Sequence, residues 1–135
     1  MDEVTSEVVQ QWLRKAEHDL QNIRNNLVAE NIPTDTLCFH AQQAIEKLLK
    51  GVLVANGRNI CKTHDLVKLL TDVADVLPEL LPYEDQLEDI SEYGVGVRYP
   101  DDFFEPSLDE ARHAYDVALK IETIILNKLQ LRKQY

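Results

Sequence analysis

His40, Gln43, Lys47 and Lys50 follow one another at steps of three and four, so on a helix they form one polar stripe beside an apolar face. In such a stripe Lys47 and Lys50 can meet phosphate or an acidic partner helix, with His40 and Gln43 as hydrogen-bond donors. The plainer role is a solvated edge carrying a Gln43 to Lys47 surface pair. His64-Asp65 stands at the start of another predicted helix, where free backbone N–H groups form a weak anion site. Its plainer role is structural, with Asp65 capping the helix and His64 packing over the loop.

The third candidate is Val97-Arg98-Tyr99-Pro100-Asp101. From Thr71 to Glu110 there are thirteen Asp and Glu residues and one base, Arg98, while the rest of the chain has eleven acids and thirteen bases. A lone guanidinium in that field is either locked into ion pairs, with Asp101 and Asp102 nearest, or placed for a ligand or partner. Tyr99 is an aromatic on which a base can stack. Phe103 and Phe104 read instead as plugs for the end of a helical bundle, as large apolar residues beside a core normally join it.

Cys38, His40, Cys61 and His64 are the right types for a four-ligand zinc set, but their spacing is not. Residues 38 and 40 project roughly 200° apart on a helix, and the usual Cys-x-x-Cys pair is missing. No metal and no cofactor is expected. Arg58 and His64 are separated by five residues, a spacing that two residues meet readily by chance.

The elements that must hold these residues are helical. The chain has 135 residues, 44% hydrophobic and 28% charged, which suits one compact domain over 1–135 with a single core. Its formal charge of −10 argues against loose binding to nucleic acid driven by phosphate contacts. No run of about 18 apolar residues is present, and the acidic start Met1-Asp2-Glu3 does not read as a secretory signal, so a soluble, cytoplasmic protein is expected. Two cysteines are too few for a disulfide framework, and both are read as free thiols.

Val9, Leu13, Ala16, Leu20, Ile23 and Leu27 form one seam of a helix from about Thr5 to Glu30, which Asn31-Ile32-Pro33 ends. Val8 and Trp12 widen that seam and suggest a second contact surface, against another subunit for example. Thr34 reads as the N-cap of a central helix with Leu37, Ala41, Ala44, Ile45, Leu48, Leu49, Val52 and Leu53 on its apolar face, closed by Gly57. Thr63 reads as the cap of a third helix containing Leu66, Val67, Leu69, Leu70 and Val73, with Asp65 in its first turn favoured by the dipole.

Pro78 and Pro82 interrupt the pattern. Leu87, Ile90, Gly94 and Val97 then predict a fourth helix up to Pro100, in which Gly94 and Gly96 would let a neighbouring helix or a ligand approach the backbone. Ser107-Leu108-Asp109-Glu110 is a capping box that opens a last helix through Ala111, Tyr115, Ala118, Ile125 and Leu129, with Lys128, Arg132 and Lys133 at its C-terminal end. The expected fold is all-α, an up-and-down bundle of four to five helices.

Cys38-Phe39-His40-Ala41-Gln42-Gln43-Ala44-Ile45-Glu46-Lys47-Leu48-Leu49-Lys50, then Thr63-His64-Asp65-Leu66 and Leu69-Leu70, together with Ala16-Glu17-His18-Asp19-Leu20 and Arg98-Tyr99-Pro100-Asp101, closely resemble the HEPN family in order over roughly four-fifths of the chain. The resemblance implies a four- or five-helix bundle, commonly a homodimer, similar to the helical domain of some nucleotidyltransferases. It also implies association with nucleotides or RNA, and work beside a separate minimal nucleotidyltransferase in toxin–antitoxin-like pairs. Many HEPN domains resemble metal-independent ribonucleases with four to six residues between an Arg and a His, the His moving protons and the Arg steadying phosphate charge. After Arg98 those positions hold Phe103, Phe104 and Glu105, so the motif is missing from its expected place.

The leading expectation is a HEPN binding module that is not a self-sufficient enzyme. It recognises a nucleotide or a nucleotidyltransferase partner through His40, Gln43, Lys47, Lys50, His64, Asp65, Arg98, Tyr99 and Asp101. The alternatives are a metal-independent ribonuclease with a rearranged site, and a helical interaction domain whose acidic segment serves a basic partner. Protein purified without chelator is expected to carry zinc well below one ion per chain by elemental analysis, and one ion per chain would restore the Cys/His set.

Overall fold

The seam read from the sequence is buried in a helix, α1 (Glu3–Leu27), where Val9, Ala16, Leu20 and Ile23 are fully enclosed. Asp2 starts it by accepting a hydrogen bond from Thr5 N at 2.6 Å, a carboxylate at the positive end of the helix dipole. This is a computed structural model, and it describes residues 1–94 and 105–131. Among them the chain forms five α-helices and no strand.

The second helix, α2 (Thr34–Ala55), is the axis of the bundle and packs on α1, α3, α4 and α5. Its Leu37, Ala41, Ala44, Ile45, Leu48, Leu49, Val52 and Leu53 are all buried, as their periodicity required. Burying each leucine, isoleucine or valine side chain among them contributes about 1.5–3 kcal/mol. Trp12 lies opposite Gly51, and Asp19 opposite Lys47 and His40, so α1 and α2 run antiparallel. A Cβ at Gly51 would lie 3.5 Å from Trp12 Cβ and 3.6 Å from Leu13 Cδ2, ordinary van der Waals contact, so α1 and α2 pack closely at this position with room for a methyl group.

The end of α2 is fixed by Gly57, at φ 67°, in the left-handed region that glycine enters without a Cβ penalty. Gly57 N donates to Val54 O at 3.0 Å and Arg58 N to Leu53 O at 2.9 Å, the paired bonds of a Schellman motif. The start of α2 departs from expectation. Pro33 occupies the cap position with no side-chain bond, Thr34 falls inside the first turn, and Thr34 Oγ1 is buried with no partner among the described residues.

In α3 (Leu66–Val73) the cap is Asp65 rather than Thr63. The carboxylate accepts from Val67 N at 3.0 Å and Lys68 N at 3.3 Å, while Thr63 Oγ1 accepts from Asp65 N one step earlier. Pro78–Tyr83 winds as a 3-10 helix, a conformation that tolerates both prolines. The expected fourth helix is shorter than its pattern: α4 (Glu84–Ser91) passes into a 3-10 turn at Glu92–Gly94. Glycine is a poor helix former, and Gly94 lies against the Gln42 side chain. Val97, Arg98, Tyr99, Pro100, Asp101, Phe103 and Phe104 lie outside the described residues, as do Arg132 and Lys133.

The last helix, α5 (Leu108–Leu129), has the capping box that its sequence announced. Glu110 N donates to Ser107 Oγ at 3.0 Å and Ser107 N to Glu110 Oε1 at 3.2 Å. Apolar residues of all five helices and of Leu77 and Leu80 join one contiguous core. Among the described residues no helix is long and apolar enough to cross a membrane.

Cys38 is fully buried in that core, and burial pushes its thiol up to about 11, against the hydrogen bond it shares with Tyr93. Cys61 is exposed. Thiolate is the reactive form. A disulfide-exchange reagent at neutral pH is therefore expected to label one thiol promptly, Cys61, and to reach Cys38 only on unfolding; two equally fast thiols would contradict the packing of α2.

Candidate functional site: a polar face on the central helix

Two carboxylates organise the polar side of α2. Asp19 of α1 is 7% exposed, yet it accepts both from His40 Nδ1 at 2.8 Å and from Lys47 Nζ at 2.6 Å. Glu46 of α2 is 4% exposed and receives Lys50 Nζ at 2.9 Å, His64 Nδ1 at 2.7 Å and Gln42 Nε2 at 3.2 Å. Each buried acid thus holds one lysine and one histidine. Leaving either acid unpaired would strand a charge in low dielectric, which costs several kcal/mol.

The helix period explains the division. His40 and Lys47 lie seven residues apart and turn together toward α1, while Gln42, Glu46 and Lys50 succeed each other at steps of four on the neighbouring edge. Lys50 is buried along its stem, and its ammonium lies 5.9 Å from the centre of the half-buried Trp12 ring, a cation–π contact beside the ion pair. His40 also stacks on Phe39, with ring centres 5.6 Å apart.

Five of the residues singled out from the sequence therefore share this face. His40 and Lys47 meet on Asp19, Lys50 and His64 meet on Glu46, and Gln43 donates to Gln42 Oε1 at 2.7 Å. Two details are corrected. The stripe is no solvated edge, since Lys50 is buried, and Gln43 pairs with Gln42 rather than with Lys47. Asp65 faces its own helix as the α3 cap. Arg98, Tyr99 and Asp101 lie outside the described residues.

Three residues of this face were missed: Asp19, Glu46 and Gln42. A signal existed for Asp19, which stands three residues after Ala16 and four before Ile23, an acid in the apolar seam. Gln42 and Glu46 sit among Ala41, Ala44, Ile45 and Leu48 at the edge of the broad apolar face of α2. A polar residue at such a place must find a partner inside the fold.

Arg58 is committed elsewhere, with both Nη atoms on Asp75 at 2.8 and 2.6 Å and Nη1 also on the Asp72 carbonyl. It does not join His64. Among the described residues no group of three or more His, Cys, Asp or Glu side chains gathers to hold a metal ion. A separate acidic groove of about 460 Å³ opens between α4 and α5, lined by Asp89, Glu92, Tyr93, Glu110 and His113 among others.

The face offers fixed hydrogen-bonding groups more than net positive charge. With neutral imidazoles, its two carboxylates balance its two ammonium groups. A carboxylate on Nδ1 selects the tautomer with the proton there and leaves Nε2 as the outward atom. The His64 side chain is 73% exposed, so its Nε2 is presented to solvent while Nδ1 is anchored inside.

Three comparisons bear on this geometry. A family model described as the HEPN domain matches residues 9–129. A Methanocaldococcus jannaschii protein named "Putative toxin MJ1304" is 28% identical over 103 residues, and the match covers 69% of this chain and 64% of that relative's length. The crystal structure of TT1696 from Thermus thermophilus is similar with a TM-score of 0.76 at 28% identity, covering 89% of this chain and 97% of the other.

Burial raises the Glu46 carboxyl, but hydrogen bonds from Lys50, His64 and Gln42 together outweigh it and hold its pKa below the ordinary glutamate range. A depressed folded pKa contributes stability that is present above the unfolded value, near ~4.3, and lost as pH falls through the folded one. Glu46→Gln is expected to cost about 3 kcal/mol at neutral pH. The gap between variant and wild type should narrow as denaturant melts are taken below about pH 4. A gap unchanged by acid would show that the ionised carboxylate contributes nothing.

Proposed function

The chain belongs to the HEPN domain family, and from that premise we propose that it is the binding half of a toxin–antitoxin-like pair, recognising a nucleotide or a nucleotidyltransferase partner through the polar face of α2. One observation carries the reading. Asp19 and Glu46 hold His40, Lys47, Lys50 and His64 in fixed orientations on a single face, the kind of preorganised polar surface that spares a ligand the cost of ordering it. The relative that carries the word toxin in its name supports the pairing.

Arg98, Tyr99 and Asp101, outside the described residues, are assigned to the proposed site from the sequence alone, as a base, an aromatic and an acid of the acidic segment. The half-buried Val8 and Trp12 on α1 serve as the contact with a second copy in a homodimer. Work beside a nucleotidyltransferase would take place in the cytoplasm.

A second reading rests on a different feature of the same face. His40 and His64 are both oriented by carboxylates, as acid–base catalysis requires of an imidazole, so a ribonuclease with a rearranged site has two candidate proton carriers. A metal-free cleavage assay on RNA separates the readings. Cleavage lost in both His64→Ala and Arg98→Ala would establish the enzyme, whereas cleavage that survives both would come from a contaminant.

For the binding reading, a panel of ribonucleoside mono- and triphosphates and a coexpressed minimal nucleotidyltransferase are tested by thermal melting. A ligand at a hundredfold excess over its Kd adds about 2.7 kcal/mol, a clear rise in melting temperature. The rise is expected to disappear in Arg98→Ala and to shrink in His64→Ala, whose exposed ring can be removed with little damage to the core. No rise with any nucleotide or with the partner would overturn the proposal.

A further inference from the structure

Gln42 is a fully buried amide with more duties than its helix position requires. Its Nε2 donates to Glu46 Oε1 at 3.2 Å and to the backbone carbonyl of His64 at 3.0 Å, and its Oε1 accepts from Gln43 Nε2 at 2.7 Å. Glu46 Oε1 in turn holds His64 Nδ1 at 2.7 Å. A closed ring results. One amide grips His64 twice, at the backbone directly and at the imidazole through the carboxylate. Turning the amide over would set its oxygen against a carboxylate and a carbonyl, so the network admits one orientation.

The same amide is pressed from the other side. A Cβ built on Gly94 would lie 2.7 Å from Gln42 Cδ and 2.9 Å from Nε2, closer than real contacts allow. The 3-10 turn Glu92–Gly94 therefore rests its backbone on the Gln42 side chain, and only glycine fits there without displacing it. Ser91 reinforces the arrangement, its Oγ accepting from Leu66 N at 3.0 Å and donating to the His64 carbonyl at 3.3 Å. Gln42 is thus the point at which α2, the approach to α3 and the turn after α4 meet.

We propose that Gln42 is a positioning residue that fixes the His64 imidazole, tautomer and direction together, and that Gly94 is the surface that keeps Gln42 in place. The value of a fixed His64 rests on the reading given under the proposed function, but the positioning does not. Without Gln42, the His64 ring would hang on a 73% exposed side chain with one carboxylate contact, and its carbonyl would be left with the longer 3.3 Å bond from Ser91 Oγ. Hydrogen bonds supplied by a second layer of residues are what turn an exposed histidine into a directed one.

The test reads His64 itself. Gln42→Met keeps the length and packing of the side chain but removes every hydrogen bond, and Gly94→Ala leaves Gln42 in place but pushes on it. Side-chain nitrogen NMR at about pH 8, where an unperturbed imidazole is neutral, reports each tautomer. In the wild-type protein His64 is expected to carry its proton on Nδ1. In both variants its two nitrogen signals should move toward averaged values.

His40 is the internal control, held by Asp19 on the other edge of the helix, and its signals are expected to stay. A variant that misfolds would move both histidines and the helical circular dichroism together, and is then replaced by the other in the comparison. His64 signals that remain at wild-type positions in a folded Gln42→Met protein would overturn the proposal. Should a nucleotide of the panel bind, its affinity is expected to fall roughly three- to tenfold in Gln42→Met, about the worth of one hydrogen bond. Altered His64 signals with no ligand found for the wild type would leave the positioning standing and remove the proposed function instead.

Discussion

Two carboxylates sealed between packed helices govern this molecule. Asp19 and Glu46 are almost without solvent, so each must be neutralised by groups that the fold brings to it. Asp19 lies on α1 and its partners His40 and Lys47 lie on α2, so satisfying it fixes the register of the largest helix–helix contact in the bundle. Glu46 reaches Lys50 within α2 and His64 ahead of α3, so satisfying it fastens the approach to the third helix. Apolar packing sets the contact between the helices, but it is less directional than an ion pair.

The candidate face follows from the same constraint. Lysines drawn to buried acids are not free to act as a loose phosphate trap, which agrees with a chain of net charge −10 that has little claim on polyanions by electrostatics alone. What the face presents is direction: imidazole edges anchored at Nδ1, the half-buried amide of Gln43, and the half-buried aromatic ring of Trp12. Groups fixed in this way suit a ligand matched in shape and hydrogen-bond pattern. The membership of the chain in the HEPN family gives that pattern a biological setting, and its fold matches the neighbouring Thermus thermophilus structure over most of both chains.

Much of this was written in the sequence where a periodic rule applies. The seams of α1, α2 and α5, the Gly57 terminator and the Ser107–Glu110 capping box each depend on residues a few positions apart. The stripe of His40, Lys47 and Lys50 was legible for the same reason, as was the Glu46–Lys50 spacing of four, but the partners that come from other segments were not. Asp19 meets Lys47 across 28 positions and Glu46 meets His64 across 18, distances at which spacing carries no information about contact. The fourth helix was overextended because Gly94 keeps helical spacing, while the contact that occupies it, the Gln42 amide, comes from a helix about fifty residues earlier. Thr34 and Thr63 were plausible caps displaced by one or two residues, within the usual uncertainty of helix ends.

The claim beneath the rest is that the α1–α2 carboxylate pairing is a strong buried interaction and not a surface ornament. A double-mutant cycle on Asp19→Ala and Lys47→Ala, followed by equilibrium unfolding, measures it directly. A coupling of about 1–3 kcal/mol is expected for groups that share a buried network. Additivity within about 0.3 kcal/mol, the behaviour of independent sites, would contradict it.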